Sequence, residues 1–190
     1  MSVAVATVEE HLRAARAGGR RLLVPYVMAG VVPDWLDLVR GAAEAGADAV
    51  EIGLPFSDPM LDGPTVQRAA ALSAARGGRP RPLLDELAGL DVDVPLVVMT
   101  YANVAMTLTP GRGVAGYLDH LAAVGVRGSI VPDLPLEESS DYLAHAADVG
   151  VAAVLLAAPA CGDDRCREIA RASSGFVYCM SSMGITGERA

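Results

Sequence analysis

Residues 50 to 64 read VEIGLPFSDPMLDGP, an apolar run that turns into a loop no strand could continue. Successive strand side chains point to opposite faces, so with Val50 and Ile52 on one side Glu51 falls on the other. The second half is punctuated by Gly53, Pro55, Pro59, Gly63 and Pro64, which break helix and strand alike. It carries two further carboxylates, Asp58 and Asp62, each of which taken alone is more often an Asx-turn residue than a ligand.

The same pattern recurs along the chain. AAEAGADAVEIGLP (42–55), LAAVGVRGSIVPDLP (121–135) and AADVGVAAVLLAAP (146–159) each read as the end of a helix, a glycine, a short apolar strand and a proline-containing loop. RASSGFVYCMSSMG (171–184) is a fourth, partial copy. Gly46, Gly125, Gly150 and Gly175 then stand just past helix ends, where a left-handed backbone favours glycine. The last three are 25 residues apart, the length of one helix, one strand and two short loops.

That register predicts helices over Thr7–Ala17, Pro33–Ala45, Thr65–Ala75, Pro82–Leu90, Gly113–Val124, Leu136–Val149 and Asp164–Ala172. It predicts strands over Leu22–Met28, Ala49–Gly53, Pro95–Tyr101, Gly128–Val131, Ala152–Leu156 and Phe176–Met180. Six parallel strands alternating with helices make an α/β protein. No GxGxxG follows the first strand and no Walker lysine motif occurs, which removes the main support for a doubly wound nucleotide fold. The alternative is a (β/α)8 TIM barrel, whose eight units need roughly 250 residues. Residues 1–190 are accordingly read as one barrel domain that stops after about six strands. Two explanations stay open: a natural chain that continues past Ala190, which the intact motifs favour, or a shortened product whose site is incomplete.

Composition narrows the function. The 190 residues are 52% hydrophobic and only 4% aromatic, which suits close-packed helices on a buried sheet. Net charge is −8, from 23 acidic and 15 basic residues, and the basic ones form no stripe with aromatics, so nucleic acid is not an expected partner. No basic leader opens the chain and no run of 18 apolar residues occurs, so no membrane span is expected and the reading is a soluble cytoplasmic protein. Cys161, Cys166 and Cys179 lack CxxC spacing and His11, His120 and His145 lie far apart, so the expectation is unpaired buried thiols and no metal site.

In a barrel strand whose Val50 and Ile52 face the helices, Glu51 points inward near the C-terminal mouth, where barrel enzymes place catalytic groups. An isolated buried carboxyl has a raised pKa, which suits a group that gives and takes a proton near neutrality. Equally, such a Glu can be a structural residue satisfied by a neighbouring Tyr or a backbone amide.

The run from Glu51 to Pro64 resembles the second-strand signature of the tryptophan synthase alpha chain family, E-[LIV]-G-[LIV]-P-[FH]-S-D-P-x-x-D-G-P. VPYVMAG (24–30), MTYANV (99–104), VPDLPLEES (131–139) and FVYCMSSMGITG (176–187) extend the resemblance over essentially the whole chain. It implies a (β/α)8 barrel of the ribulose-phosphate-binding type that cleaves indole-3-glycerol phosphate into indole and glyceraldehyde 3-phosphate, a carbon–carbon lyase of tryptophan biosynthesis. It also implies no cofactor in this chain, with pyridoxal phosphate belonging to a partner beta chain in an alpha2beta2 heterotetramer. Glu51 takes the acid–base role and Asp62 the indole N–H. Tyr26, where the family has Phe, joins Tyr101, Tyr178, Thr186 and Gly187 around the substrate. Pro55, Asp58 and Asn103 fall in loops that face the beta chain.

The phosphate site of such barrels is built mainly after strands seven and eight, beyond these residues. An open sheet with unpaired first and sixth strands is expected to self-associate. Three other readings remain: a stand-alone indole-3-glycerol phosphate lyase of secondary metabolism, a catalytically incomplete relative acting as a binding or regulatory subunit, and another phosphosugar barrel such as an isomerase.

Overall fold

Strand order follows chain order without exception in this computed structural model, which describes residues 6–181: β1 (Tyr26–Met28), β2 (Val50–Gly53), β3 (Leu96–Met99), β4 (Gly128–Ile130), β5 (Ala152–Ala157) and β6 (Val177–Cys179). Every neighbouring pair is parallel. Helices alternate with them: α1 (Val8–Ala17), α2 (Trp35–Glu44), α3 (Pro64–Ala75), α4 (Pro80–Asp85), α5 (Ala102–Thr107), α6 (Gly113–Ala123), α7 (Ser140–Val149) and α8 (Asp163–Ala172). The sheet curls into an open barrel, with β1 and β6 at the edges of the described sheet.

Two apolar layers account for the curl. Val50, Ile52, Leu96, Val98 and Ala153 pack outward against Trp35, Val39, Leu118 and Leu121 of the helices. Ala49, Val97, Ile130 and Val154, the intervening residues, pack inward with Leu22, Val24, Leu156, Phe176 and Tyr178. The period of two in the sequence therefore sorts each strand between a helix layer and a barrel interior. Val8 and Leu12 of α1 join the inward set. A side chain at Gly175, just before β6, would lie 3.3 Å from Val8, so α1 stoppers the N-terminal end of the sheet.

The helix ends follow the sequence signals. Thr7 and Glu10 form a reciprocal capping box at the start of α1. Gly46, Gly125, Gly150 and Gly175 all adopt positive φ, between 72° and 96°, as their place after a helix predicts.

Several boundaries differ from expectation. β1 begins at Tyr26 rather than Leu22, because Pro25 has no N–H to donate, although the Leu23 and Pro25 carbonyls still accept from Asp48 and Glu51. The helix expected over Leu136–Val149 is split into a 3-10 turn at Leu136–Glu138 and α7, with buried Ser139 donating its hydroxyl to the Leu136 carbonyl at the break. The helix expected from Pro82 starts at Pro80, which suits the first turn, and ends at Asp85. The cysteines are free, but Cys161 and Cys166 are only half-buried and Cys179 is exposed, correcting the expectation of buried thiols.

Asp48 clamps the N-terminal entry of β2. It is 4% exposed. One carboxylate oxygen accepts from the Arg20 guanidinium at 2.7 Å and the other from the Leu23 N–H at 2.8 Å. Replacing Asp48 with Ala leaves that N–H without its acceptor. Asp48→Ala is expected to cost about 1–3 kcal/mol in urea unfolding, and Asp48→Asn less, since it keeps an acceptor.

Candidate functional site at the barrel mouth

β2 carries Glu51 inward, between Ala49 and Gly53 on the same face, and the loop after it brings Asp62 back over the mouth. That loop is tied down at several points. The Ala29 N–H bonds the Gly53 carbonyl at 2.9 Å and the Leu54 N–H bonds the Met99 carbonyl at 3.0 Å, stitching its start to β1 and β3. Gln67 on α3 donates to the Asp62 carbonyl at 2.8 Å, fixing its end.

Tyr101, at the end of β3, holds the Asp62 side chain. Its hydroxyl donates to Asp62 Oδ2 at 3.0 Å and accepts from the Leu61 N–H at 3.0 Å. Phe56 stacks on the Tyr101 ring with centroids 4.9 Å apart, and the Ala102 N–H donates to Asp133 Oδ1 at 2.7 Å, anchoring the backbone next to Tyr101. The sequence reading missed Phe56 and Asp133 as supports. It also missed α5, a helix of only six residues whose ANVAMT composition has no clear period.

Glu51 is 6% exposed, and no hydrogen bond from a described residue reaches its carboxylate. Burial, with the Asp62 charge second, pushes it up to about 7. Burial raises Asp62 as well, and the Tyr101 hydroxyl opposes that rise. The two carboxyl groups therefore have unlike environments: one desolvated and free to exchange a proton, one hydrogen-bonded and oriented.

Two more phenols face the pair. Tyr26 is the register partner of Glu51 across the β1–β2 ladder. Tyr178, half-buried on β6, pairs with Leu156 of β5. Burial raises both, and the charges of Glu51 and Asp62 raise them further. Tyr101 is pushed up to about 12, chiefly by burial. All three stay protonated at neutral pH and so can donate hydrogen bonds.

The structure thus gathers Glu51, Asp62, Tyr26, Tyr101 and Tyr178 in one mouth. Thr186 and Gly187 lie outside the described residues. Of the residues assigned to a partner face, Asp58 and Asn103 are exposed, whereas Pro55 is buried in the chain's own packing. Among the described residues, no group of three or more His, Cys, Asp or Glu side chains is placed to hold a metal ion, and no helix is long and apolar enough to cross a membrane. A concavity of about 490 Å³ between α6 and α7, lined by Arg112, Asp141, His145 and Asp148, lies on the outer helix layer away from this mouth.

A curled parallel sheet with two neighbouring carboxyl groups at the C-terminal ends of its strands defines a (β/α)-barrel protein with a candidate site in the position such barrels use for chemistry. A family model described as "Tryptophan synthase alpha chain" matches residues 12–190, and the chain belongs to that family. It is 41% identical over 179 residues to the tryptophan synthase alpha chain of Acaryochloris marina, and 39% identical over 178 residues to that of Carboxydothermus hydrogenoformans. Each alignment covers 92% of this chain and 65% of the relative, so the chain spans just under two thirds of the length of these relatives. The solved tryptophan synthase of Mycobacterium tuberculosis superposes with a TM-score of 0.86 at 34% identity, covering 97% of this chain and 72% of that one.

The raised Glu51 carboxyl carries a stability cost with a definite sign. Its ordinary value is 4.5 and its folded value about 7. The fold is favoured by this group in full below its unfolded value, and that contribution is lost as pH rises through 7. Glu51→Gln is therefore expected to stabilise the chain relative to wild type at pH 8, by up to roughly 3 kcal/mol, with the gain vanishing near pH 4. Urea unfolding at the two pH values checks it.

Proposed function

We propose that this chain carries the acid–base machinery for cleaving indole-3-glycerol phosphate into indole and glyceraldehyde 3-phosphate. The observation that carries this reading is Glu51 itself, a buried carboxyl without a described hydrogen-bond partner, set beside an oriented Asp62 in a barrel mouth.

The reaction needs a proton delivered to the indole ring carbon that bears the side chain, then a proton removed from the adjacent glycerol hydroxyl. Protonated Glu51 supplies the first, forming a C–H bond and leaving positive charge on the indole nitrogen. Ionised Glu51 then takes the hydroxyl proton as the carbon–carbon bond breaks, its electron pair returning to the ring and the carbinol carbon becoming an aldehyde. A group poised near neutrality serves both steps. Asp62, aimed by Tyr101, accepts the indole N–H and offsets the developing positive charge. Tyr26 and Tyr178 wall the space and bring hydroxyls to an otherwise apolar lining. No step calls for a cofactor in this chain, and we assign pyridoxal phosphate to a beta-chain partner.

We further assign exposed Asp58 and Asn103 to the face that meets a beta chain in an alpha2beta2 assembly, acting in the cytoplasm, the compartment the biosynthetic role implies. The solved proteins that this chain resembles are described as tryptophan synthase, which supports that partner.

Glu51→Gln keeps the shape of the side chain and removes its proton chemistry. With the beta chain present, it is expected to lower indole formation from indole-3-glycerol phosphate by at least about 100-fold, with substrate binding little changed. Activity at the wild-type level would overturn the enzymatic reading and favour a binding or regulatory subunit.

A further inference from the structure

β1 and β2 place two polar groups next to each other without visible use for one of them. Tyr26 and Glu51 are paired in register, and Gly53 lies two residues beyond Glu51 on the same inward face. A side chain at Gly53 would overlap the Tyr26 hydroxyl and its ring carbon Cζ, and would fall 2.9 Å from Cε2. The phenol therefore reaches across from β1 and lies in the space that a side chain at position 53 would take. This spot is one same-face step, about 7 Å along the strand, from the Cβ of Glu51 on the mouth side. A glutamate side chain extended towards the mouth covers about half of that span, leaving a gap that one water fills.

The other groups facing Glu51 can be sorted by what already engages them. Asp62, from the loop after β2, is an acceptor taken up by Tyr101. Tyr101, after β3, gives its only hydroxyl proton to Asp62. Tyr178 approaches from β6, the far edge of the described sheet, rather than from the neighbouring strand. No hydrogen bond from a described residue engages the Tyr26 hydroxyl.

We propose that the Tyr26 hydroxyl donates to the Glu51 carboxylate across the space above Gly53 through one ordered water, and so aims that carboxylate into the mouth. Gly53 is then required because any side chain there would evict the phenol. Tyr26 acts as a positioning residue whose donor proton steadies the ionised form of Glu51 and limits how far burial can lift it. The catalytic meaning of this contact rests on the acid–base reading of Glu51, but the contact does not.

The test is a carbon-13 NMR titration of the side-chain carboxyls in the full chain, with the Glu51 resonance assigned by its loss in Glu51→Gln. Removing a donor from a carboxylate raises its midpoint. Tyr26→Phe, which keeps the ring, is expected to raise the Glu51 midpoint by about half to one pH unit. Gly53→Ala, which displaces the ring, is expected to raise it similarly, while Tyr178→Phe leaves it within error. Circular dichroism confirms that each variant is folded. A midpoint unmoved or lowered in both Tyr26→Phe and Gly53→Ala overturns the proposal, as does a rise seen only in Tyr178→Phe. The titration reads Glu51 whether or not indole is released, so failure of the lyase reading leaves a distinct signature: a shifted midpoint in a chain without turnover.

Discussion

The desolvation of one carboxyl group organises this site. Glu51 is charged in water and loses most of that water on folding, so the fold must either neutralise it or surround it with donors. The described structure does neither completely. It places small residues, Ala49 and Gly53, on either side of Glu51 along β2 and phenols around it. The result is a carboxyl balanced between its two protonation states near neutral pH, and the neighbouring strands can be understood as the means of holding it there.

That balance needs a barrel interior closed at one end and open at the other. α1 closes it, because Val8 and Leu12 pack with the inward residues of the strands. The outward residues, Val50 and Ile52 among them, are covered by α2 and its neighbours. Trp35 on α2 illustrates how polar atoms in this layer are satisfied: fully buried, it donates its indole N–H to Glu86 at 2.7 Å. Glu51 departs from that practice: the mouth leaves one carboxyl and one phenol unengaged by described residues, and Thr100 Oγ1, just past β3, is likewise buried without a partner among them.

Much of this was legible in the sequence because two periodicities carry it. Alternation along VEIG predicts that Glu51 opposes Val50 and Ile52, and the structure places it so. The recurring glycines after helices predict Gly46, Gly125, Gly150 and Gly175 in left-handed conformation, as found. Contacts between distant segments were not legible. Nothing in GADAV or YVMAG announces that Asp48 will clamp Arg20 and Leu23, or that the Tyr26 phenol will lie over Gly53. Phe56 and Tyr101 are 45 residues apart, and only the fold stacks them. Short elements were lost for a local reason: α5 spans less than two turns, too few for a period to show, and the break at Ser139 depends on a side chain bonding back to the Leu136 carbonyl. The exposure of Cys179 follows from its strand lying at an edge of the described sheet, which thiol spacing cannot report.

The account stands on Glu51 exchanging a proton at the ring carbon from a carboxyl held near neutrality. Its most direct test is the pH dependence of kcat/KM for indole formation with the beta chain present, at constant ionic strength. The account predicts a limb centred near pH 7 that falls as Glu51 loses its proton. A profile flat through that region, or one whose only carboxyl limb lies near 4.5, would contradict it.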